Sequence, residues 1–182
     1  MGGKLDYCTE CGRELKTQHI EGRNRRCCRE CDRVEYQNPK PCAGILVVDE
    51  DELLLIKRKQ PPSVGAWSLP AGYLEADEPP EKAAVRELEE EASLQTTVET
   101  LTLVDTVFVR HPDGSHVLVI VYAISRDYTS GEAVAGSDAG AAQYWNIENL
   151  EAHETEHLEP GYLETLQRAQ SVVKNDSFVT EC

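Results

Sequence analysis

The chain has 182 residues, 28% of them charged and 6% aromatic, with 33 Asp or Glu against 18 Lys or Arg and a formal net charge of −15. That length suits one sizeable core plus a small appendage, and the charge argues against broad affinity for nucleic acid or for anionic membranes. No apolar run approaches membrane-spanning length, nothing in Met1–Lys16 resembles a signal-peptide core, and the expected compartment is the cytoplasm. The acidity is uneven, since residues 1–42 carry nine Lys or Arg against seven Asp or Glu and all the excess negative charge lies beyond them. Acidic, aromatic-poor composition with more Arg than Lys resembles that of proteins from high-salt cytoplasm.

Seven cysteines in such a chain point to metal rather than to disulfides. Cys8-Thr-Glu-Cys11 and Cys28-Arg-Glu-Cys31 are two C-x-x-C knuckles sixteen residues apart, each able to offer two thiolates from a tight turn, so the four close a tetrahedron around Zn2+. A structural zinc ribbon is expected over residues 1–38, because so polar a segment with few large apolar groups needs a staple to fold. Gly12 follows the first knuckle, where a turn wants a permissive residue. Cys27 reads as a bystander, and Cys42 and Cys182 have no partner by spacing. Five arginines, Arg23, Arg25, Arg26, Arg29 and Arg33, make the ribbon basic; they suit RNA or an acidic partner, and the preferred reading sets them against the chain's own acidic domain.

Residues 39–182 form the second expected domain. Ala43–Val48 and Leu53–Lys59 are apolar runs joined by four acidic residues, which predicts a hairpin. Gln60–Gly65 is a loop, and Trp67–Leu69 a short strand. Val98–Arg110 and His116–Ser125 flank the turn signal His111-Pro112-Asp113-Gly114 as a second hairpin. Arg126–Ala139, rich in Gly, Ser and Asp, is expected to be a flexible loop, Ala142–Ile147 a last strand and Tyr162–Val173 a closing helix.

The densest pattern lies between these hairpins, in residues 72–94, GYLEADEPPEKAAVRELEEEASL. Glu81–Ser93 is rich in Ala, Leu, Glu and Lys behind Pro79 and Pro80, so a helix with proline at its first turn is predicted. At 100° per residue Ala84, Val85, Leu88 and Ala92 form an apolar side, while Glu87, Glu90 and Glu91 fall within an arc of about 100° elsewhere. Like charges three and four positions apart repel, so the trio gains most with a cation among it, and Mg2+ suits oxygen ligands better than zinc does. A merely solvated acidic face is the plain alternative.

The spacing of Gly72, Glu78, Arg86, Glu87, Leu88, Glu90, Glu91 and Leu94 closely resembles the Nudix box, and only Ser93, where that pattern has glycine, departs. If Ser93 takes a positive φ the departure costs on the order of 1 kcal/mol and removes no ligand. The resemblance implies an α+β fold, a Nudix-type α/β/α sandwich behind the zinc ribbon. It further implies a hydrolase of phosphoanhydride bonds in nucleoside diphosphate compounds, with Mg2+ or Mn2+ held by Glu87, Glu90, Glu91 and the carbonyl of Gly72, and with Arg86 holding a glutamate in place. The proton of the attacking water would go to Glu90, Glu91 or a loop carboxylate such as Asp138. Lys57 and Arg58 are candidates to steer phosphate, or solvated strand-end charges; Trp67 is a candidate to stack on a base, or core.

A ribbon joined through Tyr36-Gln37-Asn38-Pro39 resembles the zinc-ribbon-bearing branch that includes NADH pyrophosphatases and relatives acting on ADP-ribose or FAD. Gln95–Val109 lacks the Ser-Gln-Pro-Trp array of the NADH enzymes, which weighs against NADH, while Leu69-Pro70-Ala71-Gly72 looks like the turn of many ADP-ribose pyrophosphatases. The expected partner is a small nucleotide substrate, with no membrane and room for a homodimer. A non-catalytic nucleotide sensor is the competing class. A second enzyme reading comes from His153-Glu154-Thr155-Glu156-His157, which matches the H-E-x-x-H of zinc metallopeptidases, although Pro160-Gly161 just beyond leaves little helix to carry it.

Overall fold

The computed structural model describes residues 5–111, 114–136, 138–153 and 156–179. The chain divides into two compact units, Met1–Pro39 with Arg110–His116 and Lys40–Val109 with Val117–Cys182.

The first unit carries strands β1 (Lys16–Ile20), β2 (Arg23–Cys28) and β3 (Arg33–Glu35) in an antiparallel sheet of order β1-β2-β3. Its apolar core is Cys8, Leu15 and Cys28 with Cys31 against them, far too little burial to offset the conformational entropy of the segment. The two knuckles turn alike. Gly12 (φ 68) and Asp32 (φ 49) each follow the second cysteine in a left-handed conformation, which Gly and Asp tolerate best. Three of the five basic side chains find carboxylates inside the ribbon: Arg25 pairs with Glu21 at 3.2 Å, Arg26 with Asp6 at 3.0 Å and Arg33 with Glu10 at 3.0 Å. The neutralisation expected from the acidic domain is, for these, supplied locally. Cys27 stands apart from the other thiols, its Sγ directed at the Arg25 carbonyl.

The second unit is built on β4 (Lys40–Asp49), β5 (Glu52–Arg58), β6 (Trp67–Ser68), β7 (Ala71–Tyr73), β8 (Thr102–Arg110), β9 (His116–Ser125) and β10 (Ala139–Trp145), ordered β10-β5-β4-β9-β8 with β6 beside β5 and β7 beside β4. The central strand β4 runs parallel to β9 and antiparallel to β5 and β7. Buried on both faces, it is an uninterrupted apolar run. Cys42, Leu46 and Val48 point into one core, Ala43, Ile45 and Val47 into the other. The first core is closed by α2 (Ile147–Glu151) and α3 (Leu163–Val179) through Ile147, Leu150, Leu166, Ala169 and Val173. The second is closed by α1 (Pro80–Ala92) through Ala83, Ala84, Leu88 and Ala92. This is the α/β/α sandwich.

Several boundaries differ from expectation. β4 begins at Lys40 despite Pro41, because its parallel register with β9 opens at Lys40↔Val117. The hairpin turn shrinks to Glu50 and Asp51, with Asp49 paired to Glu52. Val98–Thr100 is a single 3-10 turn rather than strand, closed by the Thr100 amide on the Thr97 carbonyl. The segment after β9 is a bonded strap rather than a loose loop. It opens with a 3-10 turn at Arg126–Tyr128, and its Ser130 exchanges both backbone hydrogen bonds with Gln95 at 2.9 and 3.0 Å. Cys182 lies outside the described residues. No helix among the described residues is long and apolar enough to cross a membrane.

Candidate active site

Helix α1 starts at the proline pair, with Pro79 extended at its N-cap and an acidic residue, Glu81, in the first turn where the helix dipole favours it. It ends at Ser93, whose left-handed conformation (φ 59, ψ 19) is the one for which glycine is ordinarily chosen. The apolar side is turned slightly from the predicted one: Ala83 is fully buried and Val85 only half-buried, since alanines let the helix approach β4 closely.

That rotation carries Glu87 inward. It is only 8% exposed, and a Cβ placed on Gly72 would stand 1.9 Å from its Oε1. Gly72 is therefore required for space rather than for a positive φ: the carboxylate fills the volume of the side chain that the glycine lacks. Arg86 then locks the arrangement. Its Nε and Nη2 donate to the two oxygens of Glu78 at 2.9 Å each, Nη1 donates to Glu87 Oε1 at 2.6 Å and to Glu90 Oε2 at 3.0 Å, and Nη2 also reaches the Tyr73 carbonyl at 3.2 Å. The bidentate pairing is the strongest and most directional form of carboxylate recognition. It holds the Glu78 carboxyl below the usual carboxylate range. Glu91 accepts a hydrogen bond from the Ala71 amide at 2.9 Å.

Burial pushes the Glu87 carboxyl up even though Arg86 opposes it, and burial pushes Glu91 up to about 7, with the charges of Glu87 and Asp138 adding and Arg58 opposing. Buried carboxylates that raise each other in this way are an all-oxygen donor set in want of positive charge, which fits a hard divalent ion. The trio does not yet converge on one point, because Arg86 serves as the cation for Glu87 and Glu90. The Glu90 side chain is 56% exposed and free to turn toward its neighbours.

Of the three substrate candidates, two are committed elsewhere. Trp67 is 3% exposed, edge-to-face with Trp145 at 5.3 Å, and donates its indole N–H to Glu156 at 2.5 Å. It is core, so the base-stacking role falls. Lys57 donates to the same carboxylate at 2.8 Å. Arg58 lies 3.7 Å from the buried Glu159, and it is the cation whose charge reaches Glu91. Glu156 and Glu159 carry no sequence signal for these roles, since their partners lie about a hundred residues away.

The metallopeptidase reading does not survive the backbone. Glu154 and Thr155 lie outside the described residues, but His153 follows the end of α2, and the segment beyond it is extended: the Trp67 amide donates to the His157 carbonyl at 2.9 Å, and Leu158 forms a parallel bridge with Trp67. No helical face is left to align two histidines.

In the ribbon, Sγ atoms of Cys8, Cys11, Cys28 and Cys31 all lie within 4.8 Å of one another, the one group of metal-ligating side chains so gathered among the described residues. A tetrahedron with Zn–S bonds of about 2.3 Å has S···S edges of about 3.8 Å, and the measured Cys8–Cys31 and Cys11–Cys28 separations are 4.0 and 3.5 Å. The amides of Cys11 and Glu10 lower Cys8 to about 7, whereas the neighbouring Cys11 sulfur and burial push Cys31 up. Four thiolates so close need a cation, and the quartet fits Zn2+.

Comparison with known proteins agrees with this geometry. The family model for the NUDIX domain matches residues 38–167. An ADP-ribose pyrophosphatase of Methanocaldococcus jannaschii is 37% identical over 115 residues, 63% of this chain and 66% of that protein. The NAD-capped RNA hydrolase NudC of Photobacterium profundum is 30% identical over 105 residues, 58% of this chain and 36% of that protein. The chain thus spans just under two thirds of the first relative and about a third of the second. A crystal structure of a NUDIX hydrolase from Nitrosomonas europaea superposes with a TM-score of 0.68 at 22% identity, covering 94% of this chain and 93% of that one, a likeness of fold. With most of its length matched by the family model and its buried glutamate, clamping arginine and permissive glycine at the spacing of the box, the chain belongs to the Nudix family.

Proposed function

We propose that the protein is a divalent-metal-dependent pyrophosphohydrolase that cleaves a nucleoside diphosphate linked to a second moiety, with ADP-ribose as the leading substrate class. The observation that carries the reading is Glu87 seated in the space left by Gly72 and clamped by Arg86, with Glu90 and Glu91 on the next turn of the same helix. The name of the Methanocaldococcus jannaschii relative and the Leu69-Pro70-Ala71-Gly72 turn favour ADP-ribose over the NAD and FAD members of the class.

Glu87, Glu90, Glu91 and the Gly72 carbonyl would hold Mg2+ or Mn2+, which when bound neutralises the diphosphate and lowers the pKa of water. Arg86 keeps Glu87 oriented toward the site, and the Ala71 amide does the same for Glu91. A water attacks one phosphorus in line, the bridging P–O bond breaks, and its proton passes to Glu90, Glu91 or Asp138. With ADP-ribose the products are AMP and ribose 5-phosphate. Arg58 is the cation placed to meet the phosphates, since Lys57 is held by Glu156.

The test is a panel of ADP-ribose, NAD, NADH, FAD, diadenosine polyphosphates and nucleoside triphosphates with Mg2+ or Mn2+, run beside Glu90→Gln. Monophosphate release by the wild type and its loss in the variant support the hydrolase. Binding of ADP-ribose without turnover of any compound would make the protein a nucleotide sensor instead.

A further inference from the structure

The last four carbonyls of a helix have no partner within the helix and must find one outside it. In α1 that end is also the turn carrying Glu90 and Glu91. The Ser93 amide bonds the Glu89 carbonyl at 3.0 Å, the Gly136 amide bonds the Glu91 carbonyl at 3.0 Å, and the Val134 amide bonds the Ala92 carbonyl at 3.0 Å. Two of these three donors come from the segment after β9, more than forty residues away in the chain.

That segment, residues 126–136, is shaped for the task. The Arg126 guanidinium binds the Thr129 carbonyl at 3.0 Å, its hydroxyl at 2.6 Å and the Gly131 carbonyl at 2.8 Å, which folds the start of the strap onto itself. Ser130 and Gln95 then exchange backbone hydrogen bonds just beyond the helix end. Ala133 and Ala135 pack on the core that α1 closes. Gly136 makes the closest approach: a Cβ there would stand 1.7 Å from the Glu90 carbonyl oxygen, an atom of the backbone that cannot move aside without unwinding the turn. Every residue type at this position except glycine is excluded.

We infer that the strap of residues 126–136 is a positioning device, an external cap that fixes the last turn of α1 and so presets the backbone from which Glu90 and Glu91 reach the metal. Arg126 and Gly136 are its positioning residues; neither touches substrate. A helix end left to solvent frays, and the two carboxylates on it would be spread over many orientations. The role assigned to the glutamates rests on the function proposed above, whereas the capping itself does not.

Hydrogen–deuterium exchange and Mn2+ binding, both on the full zinc-loaded chain, test the inference with Gly136→Ala and Arg126→Gln. In Gly136→Ala the amides of residues 89–95 should exchange about fivefold faster or more, the equivalent of a lost backbone hydrogen bond, while those of β4 stay protected. Mn2+ affinity should weaken by a similar factor, and Arg126→Gln should move both readouts the same way by less. Unchanged exchange at residues 89–95 overturns the inference, as does faster exchange with unaltered Mn2+ affinity, which would make the strap merely structural. Should Gly136→Ala lose protection throughout the chain, Arg126→Gln alone decides. A wild type that binds no Mn2+ defeats the metal-binding reading, and the positioning role with it.

Discussion

Gly72→Ala is the sharpest test of the site. The added methyl carbon would stand 1.9 Å from Glu87 Oε1, 2.3 Å from its Cδ and 2.6 Å from Oε2. Ordinary carbon–oxygen contact needs about 3.4 Å, so the carboxylate must withdraw by roughly 1.5 Å. A free side chain would swing away at little cost, but Glu87 is 8% exposed and its Oε1 accepts from Arg86 at 2.6 Å. Withdrawal breaks that charge-assisted hydrogen bond, which contributes about 1.5–3 kcal/mol. A loss of about 2 kcal/mol lowers Tm by roughly 4–8 °C in a chain of this size. The effect on chemistry is larger, because a displacement of about 1 Å in a positioned group costs on the order of a hundredfold in rate. The assay is steady-state AMP release from ADP-ribose with saturating Mg2+, paired with a melting curve. A variant that keeps kcat within about twofold of the wild type would refute the claim that Glu87 works from the place Gly72 makes for it.

Three further outcomes follow from single contacts. Ser93 sits at φ 59, so Ser93→Gly relieves on the order of 1 kcal/mol and should raise Tm by about 2–4 °C with kcat unchanged; a lowered Tm would contradict it. Cys8→Ser and Cys28→Ser should each lose the zinc of the ribbon, about one ion per chain by elemental analysis, and unchanged zinc in both would exclude the site. Lys57 and the Trp67 indole hold the Glu156 carboxyl below the usual range. A depressed folded value means the contact contributes stability above that range and loses it as pH falls through the lowered value. The urea midpoint of the wild type should therefore exceed that of Glu156→Gln near neutrality and converge with it below about pH 4, and a gap independent of pH would show that the charge on Glu156 is not what holds Trp67.

The sequence by itself determined whatever depends on residues near one another in the chain. The two knuckles are four residues each, the box spans a single turn and helix, and β4, buried on both faces, shows as an apolar run. The left-handed Ser93 was likewise legible, since a helix end declares its own backbone requirement. Tertiary structure decided everything that depends on what lies opposite. Glu87, Glu90 and Glu91 look equivalent on a helical wheel, yet one is buried and another exposed, because only the fold brings Gly72 beneath Glu87. Trp67 and Lys57 could not be withdrawn from the substrate candidates until Glu156 arrived from the far end of the chain. A stretch rich in Gly, Ser and Asp looked loose because its bonding partners are backbone carbonyls of a distant helix. Composition records side chains, and the hydrogen bonds that hold Gly136 against Glu90 are made by none.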